Sequence, residues 1–95
     1  MTLTLHLRIS GRVQGVGYRY ALRCTAQANG VTGWVRNRRD GTVEAVLQGG
    51  PASIDTVLAW ARRGPPSARV TELTAEAAQG DLDRPCRGFE ELPTV

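Results

Sequence analysis

The chain has 95 residues, of which 41% are hydrophobic and 22% are charged. This size and composition predict one soluble globular domain over residues 1–95. No apolar run approaches the ~20 residues of a membrane-spanning helix, and the N-terminus lacks the apolar block of a signal peptide. We therefore expect a cytoplasmic protein that does not bind membranes.

The charge is distributed unevenly along the chain. All twelve basic residues are arginines, and the net charge is +3. Residues 1–63 carry nine arginines and three acids, whereas residues 64–95 carry three arginines and six acids. The first part is expected to attract anions, although a scattered, solvated arginine surface would give the same pattern.

Cysteine usage argues against a zinc site. Cys24 and Cys86 do not form a CxxC pair and have no clustered histidines. In a cytoplasmic protein we expect two reduced thiols rather than a disulfide.

Hydrophobic periodicity predicts the first two elements. Residues 2–9 alternate between polar and apolar, which is typical of a half-buried strand. Tyr18, Ala21, Leu22 and Thr25 then follow helical spacing. This pattern predicts a helix from about Arg19 to the stop signal at residues 29–30.

The middle of the chain predicts a hairpin followed by a second helix. Two β-rich runs flank a turn at residues 39–41, and Val35 and Asn37 share one face of the first run. Pro51 suits the first turn of a helix. A buried stripe at spacing i, i+3, i+4, i+7 follows it, formed by Ile54, Val57, Leu58 and Ala61.

The remaining segments complete the fold prediction. Residues 68–78 read as a fourth strand with imperfect alternation, and residues 88–92 read as a possible short final strand after a polar loop. The order is β-α-β-β-α-β, with two amphipathic helices that need one sheet face to cover. We predict an α+β, ferredoxin-like sandwich: an antiparallel sheet with both helices on one face.

A glycine-rich stretch, GRVQGVGYR at residues 11–19, joins the first strand to the first helix. Its backbone N–H groups and those of the helix's first turn can form an anion cradle, with Arg19 adding a planar fork for phosphate oxygens. A tight structural turn explains the glycines equally well. The Walker and dinucleotide-binding motifs are both absent.

A second stretch of sequence favours the anion cradle over the tight structural turn. GRVQGVGYR, followed by GWVRNRRDGTVEAVLQG at residues 33–49, resembles the two signature segments of the acylphosphatase family, in the same order and at the family's separation. The resemblance covers residues 3 to about 73 and fades after that, so it does not support the final strand.

The resemblance implies an enzyme that hydrolyses acyl phosphates to a carboxylate and inorganic phosphate, without a metal or cofactor. It implies that Arg19 and Asn37 are catalytic. It also implies a phosphate-binding loop that ends at Arg19 and otherwise consists of Val13, Gln14, Gly15, Val16, Gly17 and Tyr18. The expected partner is a small-molecule acyl phosphate, and a monomer is the default for so small a chain.

Two other functions are each compatible with part of the sequence. A module that binds phosphorylated ligands without turnover would not need the water-orienting amide of Asn37. RNA binding fits the basic first part, but aromatic residues make up only 5% of the chain and no RNP-like run is present. His6 alternates onto the polar face of its strand and is expected to be exposed to solvent.

Overall fold

The computed structural model describes residues 1–95 and contains five strands and two α-helices. In chain order these are β1 (Leu3–Arg12), α1 (Tyr18–Ala28), β2 (Thr32–Asn37), β3 (Val43–Gly49), α2 (Pro51–Arg63), β4 (Arg69–Ala77) and β5 (Phe89–Glu91), with a 3₁₀ turn at Gly80–Leu82 between the last two. The predicted β-α-β-β-α-β order is confirmed, and the short final strand is present.

The strands form one sheet in the order β4-β1-β3-β2-β5. The first four strands pair antiparallel with one another, as the ferredoxin-like arrangement requires. The fully antiparallel sheet that we predicted needs one correction, because β5 pairs in parallel with β2. After β4 the chain passes from one edge of the sheet to the other through residues 78–88, and it enters β5 in the direction of β2. The sheet is therefore mixed.

Alternation along the strands separates a core face from an outer face. Cross-strand partners lie on the same face, and one such row runs across the sheet from Ile9 through Val43 to Asn37. Six apolar strand residues of the core face are fully buried: Leu7, Ile9, Val35, Val43, Ala45 and Leu47. This confirms the predicted core side of β1, β2 and β3, and it places Asn37 at the end of an otherwise apolar row.

Both helices pack on this core face. Three of the four predicted stripe residues in α2 are fully buried, namely Ile54, Val57 and Ala61. The fourth, Leu58, is partly buried against the core. In α1 the buried positions are Tyr18, Leu22 and Ala26. Neither helix is long and apolar enough to cross a bilayer.

The outer face carries a buried carboxylate that is surrounded by basic groups. Glu44 is only 4% exposed. His6 Nε2 donates to its Oε2 at 2.6 Å, and Arg36 Nε and Arg38 Nη1 each donate to its Oε1 at 2.8 Å. The expectation that His6 is simply exposed was wrong, because the ring packs against Glu44 and is 23% exposed.

These contacts control the ionisation of Glu44. Burial alone raises the pKa of the carboxyl group by disfavouring its charged form. The hydrogen bonds from His6, Arg36 and Arg38 act in the opposite direction and prevail, so the pKa falls to about 2. Glu44 is therefore charged at neutral pH and fixes three basic side chains on the outer face.

The Glu44 cluster should make stability depend on acid pH. Because the pKa of Glu44 falls from 4.5 to about 2 on folding, its contribution is complete above pH 4.5 and is lost as the pH falls from 4.5 towards 2. In urea unfolding, the difference in unfolding free energy between the wild type and Glu44→Gln should shrink by about 2 kcal/mol from pH 7 to pH 3.

The matched control is Glu72→Gln, which alters an exposed carboxyl group on β4. Its unfolding free energy should follow the wild-type pH profile. A wild-type to Glu44→Gln difference that is equal at pH 7 and pH 3 would contradict the ion cluster.

Candidate active site

A glycine-rich loop of residues 13–17 joins β1 to α1. Gly15 and Gly17 have φ angles of 74° and 80°, in the left-handed region that L-residues rarely adopt. A Cβ atom at either position would meet nothing within 4 Å. The glycines are therefore needed for the path of the backbone, not for lack of space.

The loop and the first turn of α1 concentrate backbone donors. None of the N–H groups of residues 14–20 donates a hydrogen bond within the protein, and the first helical bond runs from Ala21 N–H to Gly17 O at 3.1 Å. Free N–H groups at a helix N-terminus carry partial positive charge. Arg19 belongs to the same turn, is half-buried and forms no ion pair, whereas Arg8, Arg23, Arg36 and Arg38 each have a carboxylate partner. The segment is thus a compact group of donors suited to an anion.

Asn37 brings an unpartnered acceptor to the same region. It is the last residue of β2, and its backbone carbonyl accepts from Val95 N–H at 3.2 Å. Its side-chain Oδ1 is buried and has no hydrogen-bond partner in the protein. A buried polar atom without a partner is energetically costly and therefore calls for a functional explanation.

One pocket of about 130 Å³ brings most of the predicted site residues together. Arg19 and Asn37 both line it, although they lie eighteen positions apart in the sequence. The loop side of the pocket consists of Val13, Gly15, Gly17 and Tyr18. The two signature segments of the sequence therefore meet at one concave surface.

Two of the predicted loop residues do not line this pocket. Val16 packs against the hydrophobic core instead. Gln14 turns its side-chain amide to the β2–β3 hairpin, where it donates to the carbonyl oxygens of Arg38 and Thr42.

The Tyr18 side chain also packs in the hydrophobic core and stabilises the fold. It is buried, its ring centroid lies 5.6 Å from that of Trp60, and its hydroxyl donates to Ala61 O at 2.8 Å. Burial raises the pKa of the phenol well above its usual value. Tyr18 therefore ties the start of α1 to α2 and holds the end of the loop against the core.

Sequence reasoning missed two residues of the pocket, Tyr20 and Glu91. Glu91 Oε2 lies 3.2 Å from Arg23 Nη1, and the Arg23 guanidinium lies 5.4 Å from the centroid of the Tyr20 ring. Glu91 belongs to the three-residue strand β5, whose parallel pairing with β2 no pattern in the sequence indicated. Tyr20 could have been noticed as an aromatic residue directly after Arg19 in the sequence.

Other features of the chain do not belong to the lining of this pocket. Cys24 and Cys86 are both free, as expected. No group of three or more His, Cys, Asp or Glu side chains is arranged to hold a metal ion. A larger cavity of about 490 Å³ lies beside residues 81–87 and contains neither Arg19 nor Asn37.

Comparison with known proteins gives consistent matches. The family model described as Acylphosphatase matches residues 5–90. An acylphosphatase of Bradyrhizobium diazoefficiens is 50% identical over 94 residues, which cover 96% of this chain and 95% of the relative. One from Bordetella parapertussis is 56% identical and covers 93% of this chain and 83% of the relative. The solved structure of an acylphosphatase from Coxiella burnetii has a TM-score of 0.88 at 33% identity and covers 96% and 93% of the two chains.

The position of Tyr18 can be tested by removing its hydroxyl. We expect Tyr18→Phe to lower the free energy of unfolding by about 1 kcal/mol, because the buried carbonyl of Ala61 loses the bond from the phenol. Urea unfolding at neutral pH measures the change. Tyr20→Phe is the control, since Tyr20 is 61% exposed, and an equal effect of both substitutions would contradict a buried Tyr18 hydrogen bond.

Proposed function

Since this chain belongs to the acylphosphatase family and is a hydrolase acting on acyl phosphates, we propose which of its residues bind the phosphoryl group and which one positions water. The phosphoryl group binds to the loop of residues 13–18 and to Arg19. Asn37 positions the attacking water. The observation that carries this proposal is the buried, unpartnered Asn37 Oδ1, in one pocket with Arg19 and the glycine-rich loop.

The loop supplies a fixed electrostatic site for the phosphoryl group. Phosphoryl transfer passes through a loose transition state with negative charge on the equatorial oxygens. The N–H groups of residues 14–20 have no acceptor within the protein, and the guanidinium of Arg19 has no carboxylate partner. Donors that are already oriented stabilise developing charge without reorganising during the reaction. Arg19 adds two parallel N–H donors and a full positive charge.

Asn37 provides an acceptor and two donors for the water molecule. Its Oδ1 accepts a hydrogen bond from the water, and this orients a lone pair of the water oxygen toward phosphorus. An amide is not a base, so the proton must go elsewhere. We propose that a phosphoryl oxygen of the substrate takes it.

The reaction then balances without further groups. The water oxygen forms a bond to phosphorus while the bond between phosphorus and the acyl oxygen breaks. The electron pair of that bond leaves with the carboxylate, which is a good leaving group. The products are the carboxylate and inorganic phosphate, with the water's second proton retained on phosphate. Arg19 and the loop supply the positive charge, so we propose that hydrolysis needs no metal ion.

The ligand, the oligomeric state and the cellular location are part of the same proposal. We propose that this pocket binds a small-molecule acyl phosphate, and that the protein acts as a cytoplasmic monomer without a nucleic-acid or membrane partner. Glu91 stands at the pocket with its charge balanced by Arg23. This pairing limits the repulsion between the Glu91 carboxylate and the phosphoryl group.

Substitution of the two central residues tests the mechanism. In the hydrolysis of benzoyl phosphate with EDTA present, Arg19→Ala and Asn37→Ala should each lower kcat by ~10²–10³-fold, because each removes a fixed contact to the reacting groups. Circular dichroism should show that both variants remain folded.

Arg62→Ala serves as the control, since Arg62 is exposed near the end of α2 and lies outside the pocket. It should keep wild-type turnover. Wild-type turnover in Asn37→Ala would refute the proposed water-positioning role, and loss of wild-type activity on adding EDTA would refute metal-free hydrolysis.

Binding of the product tests the loop separately from turnover. Inorganic phosphate should inhibit hydrolysis competitively and should raise the Tm of the wild-type protein, because a ligand that binds only the folded state stabilises it. Arg19→Ala should lose most of the increase in Tm. Sodium chloride at equal ionic strength is the control, and an equal effect of chloride would contradict a specific phosphate site.

A further inference from the structure

The side chain of Gln14 joins the phosphate-binding loop to the hairpin that carries Asn37. Its Nε2 donates to Arg38 O at 2.7 Å and to Thr42 O at 2.9 Å. Both protons of the amide group are used, and the residue is half-buried. Because both amide protons are bound to the hairpin, the side chain of Gln14 has no donor left for phosphate, and only its backbone N–H belongs to the donors of the loop.

Gln14 makes the only side-chain hydrogen bonds from the loop of residues 13–17. The N–H groups of residues 14–17 have no acceptor in the protein. The loop is therefore tied to the hairpin by a single polar group. Without the amide of Gln14, the loop would be restrained by the apolar packing of Val13 and Val16 and by the buried Tyr18 at its end, and no polar group would join it to the hairpin.

The hairpin residues that accept these hydrogen bonds, Arg38 and Thr42, are themselves held by several contacts. Arg38 follows Asn37 directly, its N–H donates to Thr42 O at 2.8 Å, and its guanidinium binds the buried carboxylate of Glu44 at 2.8 Å. Asp40 accepts from the Thr42 N–H at 2.9 Å and from its hydroxyl at 2.6 Å. The turn of residues 38–42 is thus a rigid acceptor for the Gln14 amide.

We propose that Gln14 is a positioning residue that fixes the loop and Arg19 relative to Asn37. This inference rests on the proposed function, in which the phosphoryl group lies on the loop and the water lies on Asn37. A displacement of ~1 Å between reacting groups can lower a rate by ~10²-fold. Gln14 therefore acts on the alignment of water and phosphorus, not on the affinity for phosphate.

The carbonyl oxygens of Arg38 and Thr42 also accept hydrogen bonds from backbone N–H groups. The positioning role of Gln14 can therefore be tested without leaving a buried acceptor unpaired. Arg38 O also accepts from Gly41 N–H at 3.1 Å, and Thr42 O also accepts from Arg38 N–H. Removing the Gln14 amide leaves neither carbonyl without a partner. The protein should therefore fold normally when Gln14 is replaced.

The test uses Gln14→Met, which keeps the length of the side chain but has no donor, and Gln14→Glu, whose carboxylate faces two carbonyl oxygens. With benzoyl phosphate we expect kcat to fall ~10–10²-fold in Gln14→Met and further in Gln14→Glu. The inhibition constant for inorganic phosphate should change less than ~3-fold in Gln14→Met. Gln27→Met, on the exposed side of α1, is the matched control and should match the wild type.

A double-mutant cycle with Asn37→Ala identifies the group through which Gln14 acts. If Gln14 aligns the loop with Asn37, adding Gln14→Met to Asn37→Ala should lower kcat by less than ~2-fold, because the alignment no longer matters. Independent, multiplicative effects would overturn the proposal. So would wild-type kcat in Gln14→Met, or an inhibition constant for phosphate that rises as much as kcat falls.

These outcomes separate this inference from the proposed function. If Asn37→Ala alone has wild-type turnover, the proposed function fails and the inference fails with it. If Asn37→Ala is impaired while Gln14→Met is normal, only the role of Gln14 is refuted. Circular dichroism of each variant detects unfolding, and Gln14→Glu repeats the test in a side chain of nearly the same shape.

Discussion

The register between β1 and β3 is the constraint on which the rest of the structure depends. With Ile9 opposite Val43, and Val43 opposite Asn37, the apolar residues of three strands face the helices. A slip of one residue would send every side chain of a strand to the other face. It would put Glu44 into the core and turn Asn37 outward. Hydrophobic burial, the Glu44 cluster and the position of Asn37 are thus fixed by one alignment.

The same alignment explains how two distant segments form one site. Where β1 ends, the chain turns through the glycine-rich loop and enters α1, which packs on the core face. Asn37 ends β2 on that same face, two strands away. The buried side chain of Tyr18 and the amide of Gln14 then hold the loop from its two ends, one against α2 and the other against the hairpin. The pocket lies between these attachments.

The sequence predicted the elements whose signals are local and periodic. Alternation in β1, the stripe of α2 and the turn before β3 each arise from neighbouring residues, and all were found. The resemblance to a known family supplied Arg19 and Asn37, which the pocket brings together. The parallel pairing of β5 was not predicted, because three residues carry no period. The positions of Gln14 and His6 depend on partners 24 to 38 residues away, and no local pattern contains that information.

The short strand β5 has a consequence for how the molecules behave at high concentration. An open sheet edge can pair with the edge of another molecule and begin aggregation. On one side β5 pairs with β2 and carries two exposed acidic residues, Glu90 and Glu91. On the other side β4 presents exposed charges at Arg69, Glu72 and Glu76. Each sheet edge therefore carries ionised side chains that oppose β-pairing between molecules, and at the β5 edge one of them, Glu91, also lines the pocket.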